Sequence, residues 1–187
     1  MEALKRCERS ESGSAGSVLS REDILRLLDT SSPLVEGFVD RDIQIGGNGV
    51  DLTLRRVSEF TSKGAVDFSN EERVISETQD LPFGESGWLE LESGAYRVEY
   101  NEKVNLPKNI VAIAMPRSSL IRCGVALVTS IWDAGYQGRG KSTLVVFNPK
   151  GFSLKRDSRI AQLVFLSMTE PSRKGYHGIF QGEGVES

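Results

Sequence analysis

Apolar residues recur at every second position along much of this chain. Ile43 and Ile45, then Val50, Leu52 and Leu54, alternate with polar residues, as do Tyr96, Val98 and Tyr100. A period of two puts successive side chains on opposite faces, so these stretches are read as half-buried strands. Trp88, Leu89 and Leu91 lead into the Tyr96 run around a Ser93-Gly94 turn. Val104 to Met115 continues the signal, broken at Leu106-Pro107, and Val125 to Ile131 reads as another strand. Leu144 to Phe147 and Ile160 to Leu166 are short apolar runs suited to buried strands. Gly46-Gly47-Asn48-Gly49 reads as a turn or bulge. Short strands punctuated by Gly and Pro, with no strand–helix alternation, predict an all-β barrel or sandwich.

One helix opens this domain. Ser20 is placed to cap it, Asp23 completes a capping-box variant, and Ile24, Leu25, Leu27 and Leu28 form its apolar face. Residues 1–18 are Ser-, Glu- and Gly-rich without periodicity and read as a disordered extension. Residues 19–170 form the barrel domain, and the Gly-rich 171–187 segment reads as a flexible arm. The acidic 61–87 stretch reads as a loop or peripheral hairpin.

Composition removes several functions. With 23 Lys+Arg against 26 Asp+Glu the net charge is −3, which disfavours a nucleic-acid partner. No apolar run approaches the length of a membrane span, and no secretory signal is visible. Cys7 and Cys123 are too far apart for a disulfide framework or zinc site, which points to a reducing cytoplasm. With His177 the single histidine, multi-His metal sites are out, and carboxylates, arginines and hydroxyls must carry any catalysis. Gly46–Gly49 lacks the Gly-Lys-Ser/Thr ending of a phosphate loop.

Three polar segments interrupt the apolar runs. Pro116-Arg117-Ser118-Ser119-Leu120-Ile121-Arg122 reads as a strand end followed by a short helix. Its hydroxyls and guanidiniums suit phosphate, or they are a cap and solvated arginines. Ile131-Trp132-Asp133-Ala134-Gly135-Tyr136 places a carboxylate among apolar residues; it is a base or a turn cap. Arg159 and Gln162 flank the start of a strand, as ligands or as turn and backbone partners. Asp51 could serve a metal or hold a turn.

In this order the segments resemble one superfamily, the trimeric dUTPases and dCTP deaminases. Gly49-Val50-Asp51-Leu52 resembles its first motif and Pro116-Arg117-Ser118-Ser119-Leu120 its second. Ser130 to Gly138 resembles the third, and Arg159-Ile160-Ala161-Gln162-Leu163-Val164-Phe165 the fourth. Tyr176 to Glu183 resembles the C-terminal arm of the archaeal branch, and Leu19 to Leu25 the family's first helix. The resemblance implies a distorted jelly-roll β-barrel, assembled as a homotrimer with active sites shared between chains. It implies that Asp133 activates the water that attacks the α-phosphate of dUTP, giving dUMP and diphosphate. Tyr136 would pack under the deoxyribose and exclude a 2′-hydroxyl. The Gly124–Ser130 strand would read uracil. Arg117, Ser118, Ser119, Arg122 and Gln162 would hold phosphates, while Phe180 and Gln181 close the arm over the nucleotide. Mg²⁺ would sit mainly on the phosphates, with Asp51 reaching its water shell. The arginines would keep Asp133 ionised.

Deaminases of this family carry a Glu three residues before an Asn on the strand after the third motif. Here that count from Asn148 reaches Val145, and no acid occurs from Arg139 to Asn148. Deamination needs a proton shuttle that Val cannot supply. The chain therefore reads as a dUTP diphosphatase, the alternatives being a dCTP deaminase or a non-catalytic nucleotide-binding relative. Trp132 stands where many dUTPases have Ile, Phe180 where the archaeal pattern more often has Tyr, and the common Arg- and Gly-rich ending is absent.

Overall fold

The computed structural model describes residues 17–185. The extension at residues 1–16, with Cys7, lies outside them.

Helix α1 (Arg21–Leu28) forms as its cap predicts: the Ser20 hydroxyl accepts from Asp23 N–H and the Asp23 carboxylate accepts from Ser20 N–H. Ile24 and Leu28 are buried under it. Strand β1 (Val35–Glu36) is followed by a short helix, α2 (Arg41–Gln44), where alternation had suggested a strand through Ile43. The local chemistry decides this: Asp40 caps the turn by accepting from Ile43 N–H, and helical geometry aims the buried Gln44 inward. Strand β2 (Val50–Phe60) is the longest, followed by β3 (Thr78–Asp80), β4 (Trp88–Leu91), β5 (Gly94–Tyr100) and β6 (Lys103–Asn105). The chain continues through β7 (Ile110–Pro116), α3 (Ser118–Arg122), β8 (Val125–Val128), β9 (Ile131–Trp132) and β10 (Gln137–Gly138). It ends with β11 (Lys141–Val146), β12 (Phe152–Lys155) and β13 (Arg159–Ser167).

An eight-stranded antiparallel sheet runs β8-β11-β5-β2-β13-β7-β9, with β3 attached to β2. Its two outermost strands, β8 and β9, are separated in the chain only by Thr129 and Ser130. The sheet must therefore curl until its edges meet, which makes it the distorted barrel expected of an all-β chain. The Thr129 hydroxyl fastens the join by donating to Ala114 O on β7 at 2.9 Å. Smaller sheets, β1-β6-β10 and β12-β4, cover the barrel. Inward residues such as Leu52, Leu54, Val98, Tyr100, Leu144, Leu163 and Phe165 are fully buried and form one core.

Two strand expectations change. The Val125–Ile131 run is two strands, because the inward face switches from Val125 and Leu127 to Trp132, and a period of two cannot continue through that switch. Ser93-Gly94 is no hairpin turn: β4 pairs with β12 while β5 pairs with β2 and β11. The acidic stretch is a peripheral hairpin, closed by an Ala65–Val74 bridge and by β3 on β2. Ser17 and Val18, assigned to the extension, already pair with Ser167 and Leu166. Among the described residues no helix is long and apolar enough to cross a membrane.

Candidate active site

The segment after β9 turns sharply and returns as β10, carrying Asp133 and Tyr136 at its two ends. Leu106 O accepts from Gly135 N–H and Tyr136 O accepts from Leu106 N–H, which fixes the loop on the β6–β7 connection. Asp133 is exposed, and its carboxylate makes no hydrogen bond or ion pair among the described residues. Tyr136 is buried, its ring edge-on to Trp132 and to Tyr176 at 5.6 Å each. Trp132 in turn packs on the core residue Tyr100 at 6.1 Å. An aromatic ladder thus joins the barrel core to the arm. Burial, and next the Glu183 carboxylate beside it, push the Tyr136 phenol well above its ordinary range, so it stays a hydrogen-bond donor.

The arm folds back over this loop. Gly182 N–H donates to Gln137 O at 2.8 Å, and Arg139 N–H to Glu183 O at 2.8 Å. The Gln181 amide both accepts from Gln137 N–H and donates to Gly135 O. At Gly135 a Cβ would stand 2.9 Å from Gly175 Cα and Tyr176 N, and its φ is +89°, so only glycine admits the arm this closely. Between loop and arm lies a pocket of about 260 Å³ lined by Ser130, Trp132, Asp133, Tyr136, Lys141, Phe180 and Glu183, among others. Asp133, Ser130, Tyr136 and Phe180 were expected together and are together. Gln181 pins the arm to the loop from outside that lining.

The remaining expected residues sit elsewhere. Arg117 and Arg159 both donate to Asp51 Oδ2, the second at 3.1 Å, so one carboxylate aligns two guanidiniums. Gln162 is the cross-strand neighbour of Asp51 and shares its face. Ser118, Ser119 and Arg122 follow on α3, which begins after Arg117 without any side-chain cap; Arg122 is exposed and donates to Ser118 O at 3.2 Å. A second hollow of about 340 Å³, lined by Arg117, Ser119, Arg159 and Trp88 with others, opens here. Pairing of Ala112 with Trp132 sets Asp133 beside Val111, six residues of β7 away from Arg117. At about 3.3 Å per residue the two backbone positions are roughly 20 Å apart. Within one chain, then, Arg117 and Arg159 do not face Asp133, contrary to the expectation that they act on it directly.

Among the described residues no group of three or more His, Cys, Asp and Glu could hold a metal ion. Residues that local reading missed are Lys141, Tyr176 and Glu183, which line the pocket, and Gly140, against which the Trp132 indole lies. Glu183 between two glycines was a visible oddity, but its partners are more than forty positions away.

Comparison with known proteins adds the ancestry. Residues 18–168 match the family model described as dCTP deaminase-like. A relative from Methanosarcina mazei, named "Probable deoxyuridine 5'-triphosphate nucleotidohydrolase", is 47% identical over 168 residues, covering 90% of this chain and 98% of the relative. The "Deoxyuridine 5'-triphosphate nucleotidohydrolase" of Methanocaldococcus jannaschii is 35% identical, covering 74% of this chain and 88% of its own. Among solved structures, the 2'-deoxycytidine 5'-triphosphate deaminase of Agrobacterium tumefaciens shares the fold, with a TM-score of 0.59 at 22% identity. That match covers 81% of this chain and 48% of the deaminase, so this chain spans about half the deaminase's length. A family model that spans most of the barrel and full-length relatives close to half identical lead to one conclusion: the chain belongs to the dCTP deaminase-like family.

Proposed function

We propose that this protein is a dUTP diphosphatase that hydrolyses dUTP to dUMP and diphosphate. The observation that carries the reading is the unpartnered Asp133 carboxylate beside the buried Tyr136 ring, in a chain whose full-length relatives bear deoxyuridine triphosphate nucleotidohydrolase names. Asp133 is free to accept a proton from a water and to aim it at the α-phosphorus. The water oxygen then bonds to that phosphorus, the proton passes to Asp133, and diphosphate departs. Tyr136 lies flat beneath the deoxyribose, where an added 2′-hydroxyl would collide with its ring. Ser130 and the backbone before it face the base. β11, which the deaminases' proton shuttle would occupy, carries Thr143 and Val145 instead and has no acid.

The phosphates extend to Arg117, Ser118, Ser119, Arg122, Arg159 and Gln162. Since Arg117 stands about 20 Å from Asp133 in one chain, with Arg159 on the same Asp51 carboxylate, this group comes from a neighbouring copy, and the homotrimer completes each site. Ile113 and Ile131 form an exposed cross-strand pair, with Met115 and Val128 also exposed nearby. An apolar patch of that kind suits burial between copies. The donor set fits Mg²⁺ carried by the phosphates rather than by a protein cage, because Asp51 is engaged by its two arginines. When bound, the ion neutralises charge on the phosphates and the leaving diphosphate.

The test incubates the protein and Mg²⁺ with dUTP, dCTP, dTTP and UTP, following diphosphate and ammonia together. Diphosphate from dUTP alone is expected, and Asp133→Asn should lower kcat by about 10²- to 10⁴-fold while dUTP still binds. Ammonia from dCTP, or full activity in Asp133→Asn, would overturn the reading.

A further inference from the structure

A carboxylate in a pocket for a triphosphate is unfavourable unless something neutralises and uses it. Glu183 is such a group. Its side chain is 19% exposed and both its oxygens are engaged. Oε1 accepts from the Tyr136 hydroxyl at 3.1 Å, and Oε2 pairs with Lys141 Nζ at 3.3 Å. Its backbone carbonyl accepts from Arg139 N–H at 2.8 Å. One arm residue therefore grips the 136–141 segment at three points, and one of those points is the ring assigned to the sugar.

We propose that Glu183 is a positioning residue that couples docking of the C-terminal arm to discrimination at the sugar 2′ position. The proposal rests on the reading of Tyr136 as the residue beneath the deoxyribose. With the arm docked, the Tyr136 ring is held by edge contacts with Trp132 and Tyr176 and by Glu183 at its hydroxyl. A ring so held cannot yield to an added 2′-hydroxyl. When the arm lifts, Tyr176 and Glu183 leave together, the buried phenol loses its acceptor, and the ring gains freedom. Lys141 also loses a partner, keeping only Glu99 at 4.0 Å. Docking, ring position and neutralisation of the pocket carboxylate are then one event, so selectivity is set by the closed arm.

Two readouts test this. The first needs no nucleotide: trypsin cleavage after the exposed Lys174, followed by mass spectrometry of the released C-terminal fragment. Cleavage there requires the arm to lift, so its rate reports docking. Glu183→Ala removes a charge-assisted contact and a hydrogen bond and should speed cleavage by about tenfold or more. Glu183→Gln keeps an acceptor for Tyr136 but loses the pairing with Lys141, and should fall between. In a Tyr136→Phe background, where one of the bonds is already gone, adding Glu183→Ala should speed cleavage by a smaller factor. The second readout is the ratio of kcat/KM for dUTP to that for UTP, which should fall about tenfold in Glu183→Ala. A merely structural residue would lower both substrates alike and leave the ratio unchanged.

Unaltered cleavage, an unaltered ratio, or faster cleavage with the ratio intact would each overturn the coupling in a chain that hydrolyses dUTP. A wild-type chain without dUTP hydrolysis would instead overturn the functional reading itself and, with it, this proposal.

Discussion

Gly140→Ala is a one-carbon change whose sign the structure decides. The φ of Gly140 lies outside the left-handed region, so alanine is allowed there. Taken alone, the change would stabilise the fold by about 0.4–1 kcal/mol by restricting the unfolded chain. The new Cβ, however, would stand 2.2 Å from Trp132 Cη2, 2.5 Å from Cζ2 and 2.9 Å from Cζ3. The indole must retreat by more than about 1 Å to reach ordinary contact. It is buried against the Tyr100 and Tyr136 rings, so any retreat breaks those contacts or intrudes on the pocket that it lines. Overpacking costs about 1–3 kcal/mol, and three indole atoms inside 3.0 Å place this clash in the upper part of that range, at about 2–3 kcal/mol. Set against the entropic gain this leaves about 1–2.6 kcal/mol of net destabilisation, in a domain of this size a fall in Tm of roughly 2–10 °C. Asp133 follows Trp132 directly, so the same displacement should lower kcat, by up to about 10²-fold for a shift of 1 Å. Thermal unfolding and steady-state kinetics of Gly140→Ala measure both effects. The control is the same substitution in a Trp132→Phe background, which removes the outer part of the indole; there it should be neutral or stabilising. An equal loss in both backgrounds, or a stabilised Gly140→Ala in the native one, would refute the contact as the cause.

Ile131→Glu should leave the single-chain fold intact, because Ile131 is 62% exposed, while sedimentation velocity shows the trimer dissociating and dUTP hydrolysis lost with it; unchanged sedimentation would sink the shared site. Glu102 is fully buried and accepts from Gln44 Nε2, Thr53 N–H and the Thr53 hydroxyl, yet burial outweighs those bonds and raises its carboxyl above the ordinary 4.5. The folded chain therefore binds this proton more tightly than the unfolded chain, so its stabilising contribution is full below 4.5 and is lost as pH rises through the folded value. Urea midpoints at several pH values should show the wild type declining more steeply than Glu102→Gln over that interval, whereas parallel curves would count against the linkage.

The fold was legible because its information is local. Alternation in Val50–Leu54 and Tyr96–Tyr100 is a property of neighbouring residues, and so is the Ser20–Asp23 capping box. Partner choice is not local, and there the reading failed. Nothing within residues 88–100 says that β4 takes β12 while β5 takes β2 and β11. The face switch that splits β8 from β9 was present in the sequence as Leu127 and Trp132, one odd and one even, but an apolar run conceals it. Ile43 misled because it is exposed on a helical turn whose cap, Asp40, outweighs alternation. The site residues were found as types and motifs, whereas their division between two places depends on the β7–β9 register. Glu183 and Lys141 were missed for the same reason: their meaning lies in pairings across the fold.

That division is itself informative about how the site is built. The Asp133–Tyr136 loop is held from below by the aromatic ladder from Tyr100 and from above by the arm. Asp51, with its neighbours, is held from below by a buried polar network: Gln44 Nε2 donates to Asp51 O and to Glu102, and Glu102 accepts from Thr53, two residues on. Each half rests on its own support, and β7 runs between them, paired with β13 at one end and with β9 at the other. A rigid barrel that keeps the backbones of Asp133 and Arg117 about 20 Å apart cannot close the two on one ligand by bending. It can do so by repetition, when a second copy sets its arginine end against the first copy's Asp133. On the proposed reading, assembly brings the charge and the arm the closure, while a single chain keeps an exposed Asp133 carboxylate with no partner among the described residues.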